Sequence, residues 1–170
     1  MKEEVGPTAE QRPSAAWVRP YAPADREAVL ALAPRLLVGI APWLDEAAIL
    51  AAARGWIADA VAGIGPERAA FVAEGGQGQP LGFVSVARQV HFSGQERAYV
   101  GELIVATEAE GAGRGRTLLA AAEAWATAQG LPAIELDTGA PNTHARRFYD
   151  HLGYAEESVK LVKQLPPPAP

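Results

Sequence analysis

The pattern of apolar residues changes character once along this 170-residue chain, at a glycine-rich turn between positions 106 and 115. Before the turn, three segments alternate like strands and are separated by short turns, which predicts an antiparallel meander. These segments are 69–74, 81–90 and 97–106. After the turn come a helix at 115–129, a short buried strand at 134–137 and a helix at 142–152. A meander leading into strand–helix–strand units predicts an α/β fold with a mixed sheet and helices on both faces.

The N-terminal part of the chain predicts a short strand at 17–19 and two helices. The first helix starts with Asp25 as its N-cap and continues to about residue 37 at helical spacing. The second helix covers about 45–62. Its predicted inward residues are Ile49, Ala53, Trp56, Ile57 and Ala60. At the other end of the chain, 154–165 is predicted to add one or two strands.

The composition predicts one domain with loosely held ends. Residues 1–16 mix Pro, Gly and charges without periodicity and predict a flexible leader, whereas the domain covers 17–165 and the Pro-rich 166–170 predict an extended tail. The chain is 49% apolar, which predicts a packed core. No apolar run approaches the roughly 20 residues that a membrane-spanning helix needs.

The content of cysteine, histidine and charged residues argues against several classes of function. The chain has no cysteine, which excludes disulfides, thiolate zinc sites and cysteine nucleophiles and is typical of a reducing cytoplasm. Its three histidines are spread out and predict no metal site. The formal charge of −5 argues against general nucleic-acid binding. We therefore expect a cytoplasmic protein with neither a metal nor a nucleic-acid or membrane partner.

The glycine-rich turn has the chemistry of an anion site. Glycines let backbone N–H groups face a ligand, and the helix that follows adds unpaired N–H groups and the positive end of its dipole. Arg114 and Arg116 add positive charge, which favours phosphate. The turn does not match a dinucleotide-binding fingerprint, because Arg116 stands at the third glycine position. It does not match a P-loop either, because the lysine is missing. The alternative is a mobile surface turn.

Two blocks of residues stand in a specific order around the short strand. The first is Glu110–Gly115, preceded by Leu103-Ile104-Val105, and the second is 142–149, N-T-H-A-R-R-F-Y, followed by L-G-Y at 152–154. Together they resemble the GNAT superfamily of acetyl-CoA-dependent N-acetyltransferases, whose motifs are Gln/Arg-x-x-Gly-x-Gly/Ala and Asn-x-x-Ala-x-x-Phe-Tyr. Glu110 departs from the family, which prefers Gln or Arg there.

The resemblance implies a six- to seven-stranded, mostly antiparallel sheet with about four helices and a splayed central strand pair. It implies acetyl-CoA as co-substrate, an amine-bearing acceptor and a homodimer. The pantetheine arm of acetyl-CoA is expected along the backbone of Leu103, Ile104 and Val105. The turn residues expected to bind the pyrophosphate are Gly111, Ala112, Gly113, Arg114, Gly115, Arg116 and Thr117.

Amine acetylation requires a proton acceptor, since a primary amine is mostly protonated at pH 7 and its deprotonation costs roughly 4–5 kcal/mol. Glu102, just before Leu103, is the candidate base, and the alternative is an exposed carboxylate that only attracts a cationic substrate. By resemblance Tyr149 is the general acid for the thiolate, the alternative being a core aromatic. Asn142 is an N-cap that by resemblance also contacts the cofactor.

The remaining candidates have simpler interpretations. Trp17, Trp56 and Trp125 are predicted core residues, and Trp43 is a candidate for the acceptor pocket. Asp137 is either a second carboxylate of the site or the end of a strand. The chain is thus expected to move acetyl from acetyl-CoA directly to a primary amine of a small molecule or peptide. The alternatives are a non-catalytic acyl-CoA-binding module and a nucleotide-phosphate enzyme.

Overall fold

A computed structural model describes residues 17–166, in which five strands form one sheet in the order β1-β2-β3-β4-β5. The strands are Val18–Pro20 (β1), Arg68–Glu74 (β2), Pro80–Val90 (β3), Glu96–Val105 (β4) and Ile134–Leu136 (β5). Neighbouring strands are antiparallel except for the parallel pair β4–β5. The predicted α/β fold with a meander followed by strand–helix–strand units is confirmed. The predicted leader 1–16 and most of the predicted tail lie outside the described residues.

Four α-helices cover the two faces of the sheet. They are Arg26–Ala31 (α1), Glu46–Ala62 (α2), Arg114–Ala128 (α3) and Thr143–His151 (α4). The first core packs α3 and α4 against one face, and its buried residues include Val84, Val86, Val100, Leu118 and Leu119. The second core packs α1 and α2 against the opposite face, and its buried residues include Val29, Ile57, Val72, Phe83 and Ile104. Helices on both faces were predicted.

The helix ends follow local sequence signals. Asp45 caps α2, its carboxylate accepting the N–H of Ala47 at 2.9 Å, and the Asn142 side chain caps α4 by accepting the N–H of Ala145 at 3.1 Å. Gly130 and Gly153 follow α3 and α4 with φ of 69° and 89°, the left-handed conformation that glycine adopts readily. Both predicted stops are confirmed.

The predicted cap Asp25 has a different role. Its buried carboxylate makes no capping bond to α1; it accepts bonds from the Arg19 guanidinium at 2.7 and 2.8 Å and from the N–H of Ala22 at 2.8 Å. The Arg19 guanidinium lowers the pKa of the Asp25 carboxyl. The helix ends at Ala31 and gives way to a 3₁₀ segment, Ala33–Leu37, because Pro34 has no N–H to continue the hydrogen bonds of an α-helix.

Two further expectations are wrong. The sheet has five strands instead of six to seven, because 154–165 forms no strand and the three-residue β5 offers a short edge for pairing. Trp56 was predicted to face inward but is 49% exposed, since it lies at the margin of the stripe that buries Ala53, Ile57 and Ala60. Within 17–166, we find no helix long and apolar enough to cross a membrane.

Candidate functional site

Strand β4 carries one extra residue opposite Ser85. The register pairs Val84 with Leu103 and Val86 with Val100, so that one residue of β3 faces two of β4. This is a β-bulge, which bends the strand and increases its local twist. The two residues of β4 that face Ser85 are Gly101 and Glu102.

The bulge stands where β4 and β5 separate. Strand β5 pairs only with 98–100, so among the described residues the edge of β4 has no strand partner from 101 to 105. On the opposite side, the N–H of Ala106 donates to the Leu81 carbonyl of β3 at 2.8 Å. Since backbone groups alternate sides along a strand, those of Leu103 and Val105 face the free edge. The structure therefore has the splayed central strand pair that was expected.

Glu102 is buried beside this edge, with 5% of its surface exposed. Its carboxylate accepts a hydrogen bond from the Ser85 hydroxyl, which in turn accepts the Glu102 N–H at 3.2 Å. Burial raises the pKa of Glu102, while the Ser85 hydrogen bond and the charge of Arg68 oppose the rise. A Cβ at Gly101 would lie 2.8 Å from the Ser85 oxygen, so glycine leaves this hydroxyl room to reach Glu102.

Further acidic groups lie near Glu102. The Tyr99 hydroxyl donates to the Asp137 carboxylate at 3.1 Å. Burial raises the pKa of Tyr99 to about 12, and the negative charges of Asp137, Glu102 and Glu135 add to the rise. Tyr99 is therefore a neutral hydrogen-bond donor at pH 7, and its surroundings have a negative potential that favours cations.

The glycine-rich turn at the N-terminus of α3 is open to a ligand. Gly111 and Gly113 have φ of 73° and 76°, and an added Cβ at either would meet nothing within 4 Å. The first N–H groups of a helix have no acceptor inside it, so those at the start of α3 can bind an anion. Thr117 differs from the other predicted turn residues, because its N–H and hydroxyl both donate to the Gly113 carbonyl at 3.1 Å.

The two arginines of the turn are placed differently. The Arg114 guanidinium lies over the Trp17 ring, 5.2 Å from its centre, and its buried Nε has no hydrogen-bond partner. Arg116 is exposed. Trp17, predicted as a core residue, is half-buried and forms a cation–π contact with Arg114.

Glu110 has a partner that sequence reasoning missed. Its carboxylate is ion-paired with Arg35 of the 3₁₀ segment, and the Nε of the same guanidinium donates to the Val105 carbonyl at 3.1 Å. The two paired residues are 75 positions apart, so no local pattern could reveal the contact.

The two candidates on and next to α4, Tyr149 and Asn142, have different surroundings. Tyr149 is half-buried in the core next to α3, with its ring 5.3 Å from that of Phe148 and 5.8 Å from that of Tyr154. Burial raises the pKa of Tyr149 to about 12. The Asn142 amide also donates to the Val38 carbonyl at 3.1 Å, so the N-cap joins α4 to the segment after Leu37.

The other candidates of the sequence are more dispersed. Ile104 is buried with its side chain in the core, whereas Trp43 is 54% exposed.

His91 and the carboxylates of Glu135 and Glu157 offer ligand atoms within 4.8 Å of one another. Arg97 binds both of these carboxylates, at 2.9 and 2.6 Å, and its positive charge disfavours a metal cation there.

Taken together, the turn and the free edge fit one extended ligand with an anionic end. The turn offers N–H groups, left-handed glycines with free space above them and the exposed Arg116. The free edge offers the backbone groups of Leu103 and the N–H of Val105 to a ligand lying alongside the strand, while the Val105 carbonyl accepts from Arg35. A buried carboxylate, Glu102, lies next to the point where this edge begins.

Comparison with known proteins gives a consistent assignment of the fold. The family model described as "Acetyltransferase (GNAT) family" matches residues 17–154. A putative acetyl transferase from Pyrococcus furiosus has a similar structure, with TM-score 0.71 and 21% identity over 87% of this chain and 98% of that one. No curated protein sequence gives a significant match.

Two further solved structures share the fold. The complex of AAC(6')-Iy with the bisubstrate analog CoA-S-monomethyl-acetylneamine has TM-score 0.62 and 20% identity, covering 87% of this chain and 97% of that one. Glucosamine-6-phosphate N-acetyltransferase from Arabidopsis thaliana has TM-score 0.61 and 16% identity, covering 88% and 97%.

Proposed function

The chain belongs to the GNAT family of acetyltransferases, and we propose that it transfers an acetyl group from acetyl-CoA directly to a primary amine of a small molecule or peptide. The observation that carries the proposal is the buried carboxylate of Glu102 at the bulge, next to the free edge of β4 and on the face lined by acidic groups. Acetyl-CoA is a substrate here and supplies the reactive thioester.

The donor would be held by backbone groups. The turn from Gly111 to Arg116 binds the diphosphate through its N–H groups, with Thr117 stabilising the turn from inside the helix. The pantetheine amides pair with the backbone of Leu103 and Val105 as an added strand would. In this arrangement the thioester reaches the bulge, where a backbone N–H can stabilise developing negative charge on the acetyl oxygen.

The acceptor amine must lose a proton before it attacks. Glu102 takes that proton, directly or through water, and its raised pKa makes it a stronger base than an exposed glutamate. The negative potential around Tyr99 and Asp137 attracts the ammonium form of the acceptor to the same face. Two proteins of this fold are a glucosamine-6-phosphate N-acetyltransferase and an enzyme bound to an acetylneamine analog, which makes amino sugars and aminoglycosides suitable first substrates to test.

Removing the Ser85 hydroxyl will shift the pH dependence of the reaction. The hydrogen bond from Ser85 lowers the pKa of Glu102, so in Ser85→Ala this pKa rises further. The base is active when ionised, and the acid limb of kcat/KM will therefore move to higher pH while the plateau at high pH is kept. The control is Ser93→Ala, which removes a hydroxyl bonded to His91 in the β3–β4 turn. An unchanged or lowered limb in Ser85→Ala would count against Glu102 as the base.

Tyr149 is the proposed acid that protonates the departing thiolate. With its pKa raised to about 12, it holds its proton throughout the neutral range. We expect Tyr149→Phe to lower kcat by about 10²-fold, the lower end of general acid effects. Tyr154→Phe is the matched control, since this neighbouring hydroxyl donates to Glu123 at 3.0 Å. Equal rates for the two variants would remove Tyr149 from the mechanism.

The decisive test of the activity is thiol release from acetyl-CoA across a panel of primary amines. A chain without cysteine adds no thiol background of its own to that assay. Amine-dependent release of CoA supports the transferase. Tight CoA binding without release for any amine would instead favour the non-catalytic acyl-CoA-binding module. Cytoplasmic location and a homodimer stay predictions.

A further inference from the structure

Arg35 joins the N-terminal helical segment to the proposed coenzyme turn. It lies in the 3₁₀ segment Ala33–Leu37 between α1 and α2, far from the turn in sequence. Its guanidinium pairs with the Glu110 carboxylate and donates to the Val105 carbonyl at 3.1 Å. The Arg35 side chain is 29% exposed and that of Glu110 is 49% exposed.

The position of Glu110 creates an electrostatic problem for the proposed ligand. A carboxylate at the start of a turn that binds diphosphate repels that diphosphate, because both carry negative charge. The Arg35 guanidinium is permanently charged and bonds to the carboxylate, so it cancels this repulsion. The Nε of the same side chain donates to the Val105 carbonyl, and this bond holds the guanidinium beside Glu110.

We propose that Arg35 is a positioning residue for the coenzyme, making the Glu110-containing turn compatible with a diphosphate by neutralising Glu110. This inference rests on the proposed function, in which the turn binds the diphosphate of CoA. The positive charge that balances Glu110 thus comes from a residue of the N-terminal helical segment, because the first position of the turn is an acid. The affinity for CoA then depends on the charge balance of the pair.

A double-mutant cycle tests this dependence. The Kd of CoA is measured by titration calorimetry for the wild type, Arg35→Gln, Glu110→Gln and the double variant. We expect Arg35→Gln to weaken binding at least about tenfold, within the usual range of coupling between sites. Glu110→Gln alone will leave the affinity equal or improved, and in the double variant it will recover most of the loss. Arg54→Gln, an exposed arginine of α2, is the control for a change in net charge.

A shorter donor separates the diphosphate effect from a general structural one. S-acetylpantetheine lacks the diphosphate, so its kcat/KM will be nearly the same for the wild type and for Arg35→Gln. Thermal unfolding of each variant shows whether it is folded at the assay temperature.

The outcomes are distinguishable. If the wild type binds no CoA, the proposed function falls and this inference falls with it. If the wild type binds CoA and Arg35→Gln binds it equally well, only the role of Arg35 is refuted. A double variant as weak as Arg35→Gln, or an equal loss with S-acetylpantetheine, would refute neutralisation of Glu110 as the mechanism.

Discussion

Glu102→Gln will lower kcat/KM by about 10²–10⁴-fold at neutral pH, the range found for a general base. The glutamine is nearly isosteric and keeps an oxygen to accept the Ser85 hydrogen bond, so the fold and the CoA affinity are expected to persist. What the variant loses is the proton acceptor for the amine. The acid limb of the pH profile, which reports ionisation of Glu102, will be absent.

Steady-state kinetics from pH 5 to 10 checks this result, with calorimetry for the Kd of CoA. Glu96→Gln is the matched control, because Glu96 stands on the same strand and its exposed carboxylate pairs with Arg88 at 2.9 Å. If Glu102→Gln keeps its kcat and pH profile and raises only the KM of the amine, Glu102 attracts a cationic substrate without acting as base. That is the alternative the sequence left open.

Gly113→Ala will weaken CoA binding by up to about 30-fold, the change in Kd that corresponds to about 2 kcal/mol of backbone strain. Gly113 is the N-cap of α3 with φ of 76°, a conformation that costs an alanine about 1–2 kcal/mol. A Cβ added at this position would meet open space, so the substitution introduces backbone strain and no steric clash. Relief of the strain rotates the N–H groups that face the diphosphate.

Gly130→Ala provides a matched control at the other end of the same helix. Gly130 has φ of 69° and equally open space, so its substitution imposes a similar strain without touching the turn. Both variants should lose comparable thermal stability, and only Gly113→Ala should lose affinity in calorimetry with CoA. A Gly113→Ala protein with wild-type affinity would contradict diphosphate binding by this turn.

Features set by neighbouring residues were predictable from the sequence. The cap at Asn142 and the stops at Gly130 and Gly153 depend on residue chemistry within a few positions of the helix end. The meander followed from turns between alternating segments, and the glycine-rich turn from its composition. The same signals are sufficient to place the candidate coenzyme turn between β4 and α3.

Features set by long-range contacts were not predictable. Asp25 has the residue type of a cap, but the Arg19 guanidinium on β1 binds it. The pairing of Arg35 with Glu110 depends on how the helical segment folds over the end of β4. The segment 154–165 carries strand-forming residues, yet a strand also needs an edge of matching length, and periodicity contains no information about that edge.

The bulge in β4 stands at the point where the sheet opens. If Gly101 were deleted, the ladder against β3 would become regular, and Glu102 and Ile104 would keep their present faces, since plain alternation leads to the same assignment. The strand would then lose the bend and the added twist that a bulge introduces. A single extra glycine, which contributes no side chain to any core, thus sets the course of the strand where its edge becomes free.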